Sequence, residues 1–326
     1  MRRHRLLTAA LASALALLVV PAAAAEHQPP ATPRLTGIDG LLYDSAPYAV
    51  PGDDGNLFFG YEFDIACGLG DGLRGPVARL AELARLIEHS GRRVVWTVAP
   101  NKSAVLGTEI DPALLPQGSC DTVGVELQNQ VLDEVSDPTY LPVRRLLVKA
   151  SSEQQIYWRT DPHWTTSGAV YFVQALAREL DPRLARRQRY HYGTETRVGG
   201  LELDGTPETV QTATPATKVT VRSRTDPDWS YPTLVTDHSW VTGPRSRTYP
   251  GRTLLLGDSF MWYALENLRP LFRHGRFLWY AHSSEPVMLK ALRRSDTVVI
   301  DAYQAFLPGS SIISSEFLAK VRRVLR

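Results

Sequence analysis

Apolar side chains recur at helical spacing in the first well-defined element of this chain. They begin after Pro76 and stop before Gly91, at positions Val77, Leu80, Leu83, Ala84 and Ile87. Residues three and four positions apart share one face of a helix, proline suits the first helical turn, and glycine favours its end. The pattern therefore predicts an amphipathic helix with one buried face.

Short runs of β-branched and aliphatic residues predict buried strands at three places. The runs cover residues 93–98, 253–256 and 297–300. The first of them follows the amphipathic helix directly. Because helices that alternate with buried strands are typical of an α/β architecture, we expect a domain of that class.

Further helices are predicted along the chain, with one short strand between two of them. The helices cover residues 125–136, 141–150, 260–268 and 316–325. A further helix is capped by Thr165 or Thr166 and reaches Leu180. The strand covers residues 155–158. Residues 35–60 predict short strands or hairpins. Residues 183–252 predict loops and small strands inserted between core elements, because they lack a long apolar pattern of their own.

The first residues have the pattern of a secretory signal. Basic residues precede an apolar run that ends at Val20, and small residues suited to cleavage lie around Ala23 and Ala25. The run is shorter than a membrane-spanning helix, which favours cleavage, and anchoring by this segment is the alternative. We predict a signal peptide over residues 1–25, a proline-rich linker over 26–34 and one domain over 35–326. We expect the protein to lie outside the cytoplasm, either secreted or in the periplasm and cell envelope.

Composition and charge exclude several classes of protein. Hydrophobic residues make up 44% of the chain and charged residues 21%, and the formal net charge at pH 7 is +2. These fractions are typical of a soluble globular protein and argue against disorder or several membrane spans. The balanced charge gives no support to nucleic-acid binding.

Export affects how the two cysteines are interpreted. An oxidising compartment favours a disulfide between Cys67 and Cys120 over a redox or metal pair, with two buried free thiols as the alternative. His191, His274 and His282 show no spacing typical of metal ligands, so no metal site is expected.

A carboxylate and an imidazole occur two residues apart in the segment Asp161-Pro162-His163-Trp164. Pro162 disfavours a helical conformation at Asp161, and in an extended backbone residues two apart face the same way. A carboxylate that holds one ring nitrogen leaves the other free to act as a base. The pair is a candidate base and its orienting acid, and an ordinary loop is the alternative.

A candidate nucleophile follows the apolar run at residues 253–256. Ser259 lies in a strand-to-helix turn after Gly257, where the amides of Ser259 or Phe260 can face an oxyanion. Serine needs a base to become a strong nucleophile, and Asp161 with His163 would supply one. Gly-Asp-Ser is also an ordinary turn and helix cap.

Other residues are candidates for contact with substrate. Lys102 follows a predicted strand, where α/β sheets bind ligands, although a loop lysine is more often only solvated. Trp164, Trp262 and Tyr263 flank the candidate cleft and can stack on sugar rings, or pack in the core. Tyr303 and Gln304 follow another strand and can approach the cleft. His238 is adjacent to Asp237, so an extended backbone would turn the two apart.

Two motifs together resemble a known family. Gly-Asp-Ser-Phe at residues 257–260 and Asp-Pro-His-Trp at 161–164 resemble the SGNH hydrolase-like proteins of bacterial alginate and exopolysaccharide O-acetylation. Gly-Asn-Leu-Phe-Phe-Gly at 55–60 and Val-Ala-Pro-Asn-Lys at 98–102 also resemble segments of that family. The resemblance implies a three-layer α/β/α fold with a mainly parallel sheet. It also implies that the serine motif (residues 257–260) follows the histidine motif (residues 161–164) along the chain. This order is the reverse of that in ordinary SGNH hydrolases.

The resemblance also implies an activity. Ser259, His163 and Asp161 would form the catalytic triad of an exported serine O-acetyltransferase or acetylesterase that acts on a polysaccharide or cell-envelope glycan. Asn101 is a candidate for the oxyanion-hole asparagine of ordinary SGNH enzymes. No cofactor is implied, and a membrane O-acyltransferase partner would supply the acetyl group. The alternative is a non-catalytic glycan-binding or assembly protein that keeps the same fold.

Overall fold

A mixed five-stranded sheet organises the molecule. This computed structural model describes residues 49–107, 110–115, 118–197, 214–221, 235–242 and 248–326. The strands are β1 (Ala49–Pro51), β2 (Leu57–Phe59), β3 (Arg93–Ala99), β4 (Tyr190–Arg197), β5 (Thr214–Val221), β6 (Asp237–Val241), β7 (Tyr249–Gly257), β8 (Phe272–Trp279) and β9 (Thr297–Tyr303). The central sheet has the order β3-β9-β7-β8-β6, in which only the edge strand β6 is antiparallel to its neighbour.

Helices cover this sheet and connect its strands. They are α1 (Gly60–Leu69), α2 (Arg74–His89), α3 (Ser103–Leu106), α4 (Ser119–Asp133), α5 (Val143–Ser151), α6 (Thr166–Leu180), α7 (Pro182–Arg187), α8 (Ser259–Leu268), α9 (Glu285–Arg294) and α10 (Ser315–Val324). Among the described segments, no helix has both the length and the apolar character needed to cross a membrane.

Alternation along the strands divides the core into two clusters. Val95, Leu255 and Val299 pack on one face of the sheet with α5, α6 and α8. Their neighbours Val94, Leu254 and Val298 pack on the other face with α2, α9 and α10. Successive strand residues point to opposite faces, so continuous apolar runs belong to strands that are covered on both sides. The predicted three-layer α/β/α class with a mainly parallel sheet is confirmed.

Two antiparallel strand pairs form small sheets separate from the central one. β1 pairs with β2, which confirms the expected hairpin in the described part of residues 35–60. β4 pairs with β5 inside the segment that was expected to form loops and small strands. This second strand pair is attached to α6 by Glu195, whose Oε1 accepts hydrogen bonds from the Thr166 amide and hydroxyl at 3.0 and 2.8 Å.

Some predictions of elements were wrong or incomplete. The strand expected at residues 155–158 is only a single bridge between Tyr157 and Trp164. Strand β8 and helices α1 and α9 were not predicted. The signal peptide and linker expected over residues 1–34 lie outside the described residues, as does the start of the domain at residue 35. The described residues all belong to one compact unit.

A disulfide joins α1 to α4. Cys67 and Cys120 are bonded, with their Cα atoms 5.1 Å apart, as the sequence predicted. The two helices also approach closely at Gly124, where a Cβ atom would lie 2.2 Å from the carbonyl oxygen of Ala66. A larger residue at Gly124 would therefore force the helices apart.

Candidate active site

The carboxyl ends of the parallel strands bring the candidate residues to one edge of the sheet. Asn101 follows β3, Ser259 follows β7, and Gln304 follows β9. Open α/β sheets bind ligands at this edge because strands end there and helices begin. The site therefore lies where the topology favours one.

Ser259 is presented by a tight turn between β7 and α8. A Cβ atom on Gly257 would lie 2.5 Å from Cβ of Met261, so glycine permits the first turn of α8 to pack against the strand end. Asp258 caps the helix, because its Oδ1 accepts the amide hydrogen of Phe260 at 2.9 Å. Ser259 is the first residue of α8 and is half-buried.

Asp161 and His163 are held by a bent segment of chain. The backbone bends over residues 161–163, and Asp161 Oδ1 accepts the amide hydrogen of His163 at 2.8 Å. This side-chain turn brings the two residues together, and the expected extended backbone is not what aligns them. The amide of Trp158 donates to the His163 carbonyl at 3.1 Å, and Thr165 then caps α6.

The three candidate triad residues are in hydrogen-bond contact. Asp161 Oδ1 lies 2.7 Å from His163 Nδ1, and His163 Nε2 lies 2.8 Å from Ser259 Oγ. The Asp161 side chain is 7% exposed and that of His163 is 17% exposed. A carboxylate on Nδ1 favours the tautomer whose Nε2 is free to accept the serine proton. The arrangement can therefore generate a nucleophilic alkoxide at Ser259.

Asp258, the residue before Ser259, is the centre of a second network of buried hydrogen bonds. Its Oδ2 accepts hydrogen bonds from the Tyr280 hydroxyl at 2.8 Å and the Tyr303 amide at 2.6 Å. Burial raises the pKa of the Asp258 carboxyl, whereas the hydrogen bonds from Tyr303, Tyr280 and Phe260 lower it. Burial, together with the negative charge of Asp258, raises the pKa of Asp301 well above its ordinary value.

Phe260 and Trp164 do not occupy the roles expected of them. The Phe260 amide is engaged by Asp258, so it is not free for an oxyanion, and its ring instead lies 4.8 Å from the His163 ring. Trp164 is 1% exposed, and its Nε1 donates to the Phe260 carbonyl at 3.0 Å. Trp164 is therefore a core residue that supports the motif and does not face a substrate.

Lys102 and Asn101 are also buried. The Lys102 side chain is fully buried and turned towards backbone carbonyls, which contradicts the expected contact with substrate. Asn101 is 1% exposed and lies after β3, which is separated from β7 by β9. Two strand spacings amount to about 10 Å, so this placement does not support a contact between Asn101 and an oxyanion at Ser259.

Tyr263 is the expected substrate residue that does lie beside the triad. Its ring centroid is 4.3 Å from that of His163, and Trp262 packs edge-on against it at 4.8 Å. Both rings are half-buried. Tyr303 is buried behind Phe260, on which it stacks at 4.5 Å, and His238 stacks on Trp240 in the edge strand β6.

Glu62 is a buried carboxylate of this region that sequence reasoning missed. Glu62 is fully buried, and it accepts hydrogen bonds from the Tyr303 hydroxyl at 2.7 Å and the Ser103 amide at 3.0 Å. Burial raises the pKa of Glu62, and these hydrogen bonds oppose the shift. A charged residue within the apolar run of α1 was the available signal. Within the described ranges, no three His, Cys, Asp or Glu side chains cluster as metal ligands do.

Comparison with known families decides which class of protein this is. The model of the SGNH hydrolase-like domain of the acetyltransferase AlgX matches residues 49–233. The chain belongs to this family. Membership makes it an enzyme of the O-acetyltransferase class. The matched segment of this AlgX-type chain includes Asp161 and His163 and ends before Ser259.

Solved structures share the fold of this AlgX-type chain. The O-acetyltransferase domain of Pseudomonas putida AlgJ is 20% identical, with a TM-score of 0.51 over 85% of this chain and 99% of that one. Bacillus cereus PatB1 is 13% identical, with a TM-score of 0.53 over 81% and 98%. A DHHW family protein from Eubacterium siraeum is 15% identical, with a TM-score of 0.51 over 84% and 98%. A search of curated protein sequences found no significant match.

Proposed function

We propose that this protein is an exported serine O-acetyltransferase that transfers acetyl groups to hydroxyls of a polysaccharide or other cell-envelope glycan. Ser259 is the nucleophile, His163 the general base and acid, and Asp161 the residue that orients the imidazole. The observation that carries the proposal is the pair of contacts at 2.7 Å from Asp161 to His163 and 2.8 Å from His163 to Ser259.

The first half-reaction acetylates the enzyme. His163 Nε2 takes the hydroxyl proton of Ser259 while Oγ attacks the carbonyl carbon of the acetyl donor. The tetrahedral intermediate then collapses, the bond from the carbonyl carbon to the donor oxygen breaks, and His163 returns the proton to that oxygen. Asp161 stabilises the imidazolium during both proton transfers.

The amino end of α8 stabilises the negative charge on the carbonyl oxygen. The first amides of a helix have no intrahelical partner, and the helix dipole places partial positive charge there. Ser259 is the first residue of α8, so its amide is our candidate donor. The Phe260 amide already donates to Asp258 and is therefore not a second candidate donor.

The second half-reaction acetylates the acceptor. A sugar hydroxyl gives its proton to His163 Nε2 and attacks the acetyl carbonyl, and the bond to Ser259 Oγ breaks as that oxygen regains the proton. Tyr263 is half-buried beside His163, and the half-buried Trp262 packs edge-on against Tyr263. Both rings are candidates for stacking on a sugar. Transfer to water in place of the sugar would make the enzyme an esterase.

Four observations support an extracytoplasmic glycan as the acceptor. The family is that of the acetyltransferase AlgX, and the fold is shared with the O-acetyltransferase domain of AlgJ. The first residues have the composition of a secretory signal, and a disulfide is typical of proteins outside the cytoplasm. A transferase outside the cytoplasm needs an acetyl donor there, and the resemblance to the alginate O-acetylation proteins implies a membrane O-acyltransferase partner that would deliver the acetyl group.

Acetyl transfer to an oligosaccharide tests the proposal. The enzyme is incubated with an aryl acetate and a panel of neutral and acidic oligosaccharides, and acetylated products are measured by mass spectrometry. We expect products with the wild type and with Ser284→Ala, a matched control whose exposed hydroxyl makes no capping hydrogen bond. We expect none with Ser259→Ala.

The other outcomes identify the competing functions. Release of acetate without acetylated sugar, again dependent on Ser259, would contradict transfer and indicate an esterase. Binding of oligosaccharides with no Ser259-dependent turnover would contradict catalysis and indicate a glycan-binding or assembly protein.

A further inference from the structure

The buried ammonium of Lys102 contacts the segment that carries the histidine motif. Its Nζ donates to the carbonyl oxygens of Trp158 and Arg159, each at 2.7 Å, and to that of Leu57 at 3.0 Å. The ring of Phe58 lies 5.1 Å from the same nitrogen. A fully buried lysine is rare because its charge loses hydration, so these contacts have to offset that cost.

The three acceptor carbonyls converge on the Lys102 nitrogen, and two of them belong to consecutive residues. In an extended strand, successive carbonyls point to opposite sides, yet those of Trp158 and Arg159 both point at one nitrogen. The chain makes a turn at Arg159 and Thr160. Converging carbonyl dipoles repel each other unless a cation lies between them, so the ammonium selects this turn over an extended conformation.

The same turn leads directly into the triad. The amide of Trp158 donates to the His163 carbonyl at 3.1 Å, and the amide of Leu57 donates to the Arg159 carbonyl at 2.7 Å. Asp161 follows Arg159 by two residues. The backbone that Lys102 holds is therefore hydrogen-bonded on one side to His163 and continuous on the other with Asp161.

We propose that Lys102 is a positioning residue of the active site: its ammonium fixes the turn at Trp158 and Arg159 and thereby the contact between Asp161 and His163. The geometric part of this inference stands on the hydrogen bonds alone, and its consequence for turnover rests on the proposed function. A lysine suits the position because its single nitrogen presents three donors that can converge on three oxygens.

The test compares variants by nuclear magnetic resonance and by kinetics. The proton on His163 Nδ1, hydrogen-bonded to Asp161, gives a downfield resonance that is assigned by its loss in His163→Gln. In Lys102→Met, which keeps an unbranched side chain without donors, we expect this resonance to shift upfield or disappear. Turnover of an aryl acetate is expected to fall about 100-fold in kcat, with KM unchanged because binding is not the step affected.

Two further variants keep the inference falsifiable. Leu318→Ala in α10 removes a buried side chain from the opposite face of the sheet and is the control for general loss of stability, measured by urea unfolding. If Lys102→Met does not fold, Lys102→Arg replaces it, since the guanidinium keeps the charge but its planar fork cannot converge on the three oxygens. We expect Lys102→Arg to fold and to show an intermediate shift of the resonance.

The remaining outcomes decide whether Lys102 positions the histidine motif. An unchanged resonance in a folded Lys102 variant would overturn the positioning role, as would the same shift in Leu318→Ala. If the wild type shows no Ser259-dependent turnover, the proposed function fails, whereas the comparison of resonances still decides whether Lys102 holds the motif.

Discussion

Three aspartates near the Ser259 turn have the same side chain but different surroundings. Asp161 contacts the His163 ring, and Asp258 accepts hydrogen bonds from Phe260, Tyr280 and Tyr303. Asp301 is fully buried, and neither of its oxygens makes a hydrogen bond of normal geometry to the described residues. Of the three, only Asp161 is placed to orient the base, and Asp301 lies in surroundings that disfavour its charged form.

We predict that replacing Asp301 by asparagine changes how stability depends on pH. Burial and the charge of Asp258 raise the pKa of Asp301 in the folded protein, so the folded state holds a proton that the unfolded state releases above pH 4 or so. Stability contributed by this proton is therefore lost as the pH rises. Asparagine does not titrate, so Asp301→Asn should gain stability relative to the wild type as the pH rises above about 4.

Urea unfolding of both proteins at several pH values measures this difference. Asp296→Asn is the control in the opposite sense, because Arg252 lowers the pKa of that exposed carboxyl. A difference between Asp301→Asn and the wild type that stays constant or falls with pH would contradict the buried, protonated state of Asp301.

At the residue scale, the sequence predicted contacts between residues that are close together in the chain but not between distant ones. Asp161 and His163 could be paired because they are two residues apart, although their alignment comes from a side-chain turn and not from extended backbone. The roles of Lys102, Asp258 and Glu62 depend on partners 22 to 241 residues away. No local pattern encodes such partners, and Lys102 was accordingly expected at the cleft.

At the scale of elements, apolar periodicity predicted the helices and strands that bury a regular apolar face in the core. Helix α2 was expected from Pro76 and is found at Arg74–His89, because its apolar stripe packs on the sheet. Strand β8 was missed because Arg273, His274 and Arg276 interrupt its apolar pattern. It lies between β7 and the edge strand β6, and its Arg273 is exposed while His274 and Arg276 are half-buried.

Contact between α6 and the histidine motif depends on a glycine. A Cβ atom on Gly168 would lie 2.1 Å from the Ile156 carbonyl oxygen and 2.9 Å from Cβ of Trp164. We predict that Gly168→Ala pushes α6 away from the motif, lowers stability by about 1–3 kcal/mol and slows turnover about 100-fold. Thermal unfolding and aryl acetate hydrolysis measure these effects.

Gly193 provides a matched control in β4. A Cβ atom there would meet nothing within 4 Å, so Gly193→Ala should leave both stability and turnover near the wild-type values. Equal effects of the two substitutions would show that the close approach of α6 is not what positions the motif.

At the scale of the whole molecule, the fold joins motifs that are far apart in the chain. His163 and Ser259 are 96 residues apart and meet because both the end of β7 and the start of α6 lie at the carboxyl edge of the sheet. The order of the motifs is the reverse of that in ordinary SGNH hydrolases, yet the layers of the fold are those expected. Periodicity predicted the α/β class, and the motifs, through the family that they resemble, indicated the three layers and the chemistry.

The disulfide stabilises the fold on the α1 and α4 side without touching the triad. Closing a loop whose ends are 53 residues apart contributes ~4 kcal/mol in the chain-entropy model. We predict that Cys67→Ser with Cys120→Ser lowers the free energy of unfolding by about that amount and leaves the aryl acetate kcat of the folded enzyme unchanged. Urea unfolding and kinetics below the transition test this, and an unchanged free energy of unfolding would contradict it.

Covalent labelling of Ser259 tests the central claim most directly. The wild type, Ser259→Ala and Asp161→Asn are treated with a serine-directed fluorophosphonate, and the modified peptide is identified by mass spectrometry. We expect the adduct on Ser259 in the wild type, none in Ser259→Ala, and labelling slowed by about 10³- to 10⁴-fold in Asp161→Asn, because asparagine favours the wrong tautomer of the base. Absence of an adduct on Ser259 in the wild type, or equal labelling rates in Asp161→Asn and the wild type, would contradict a triad of Ser259, His163 and Asp161.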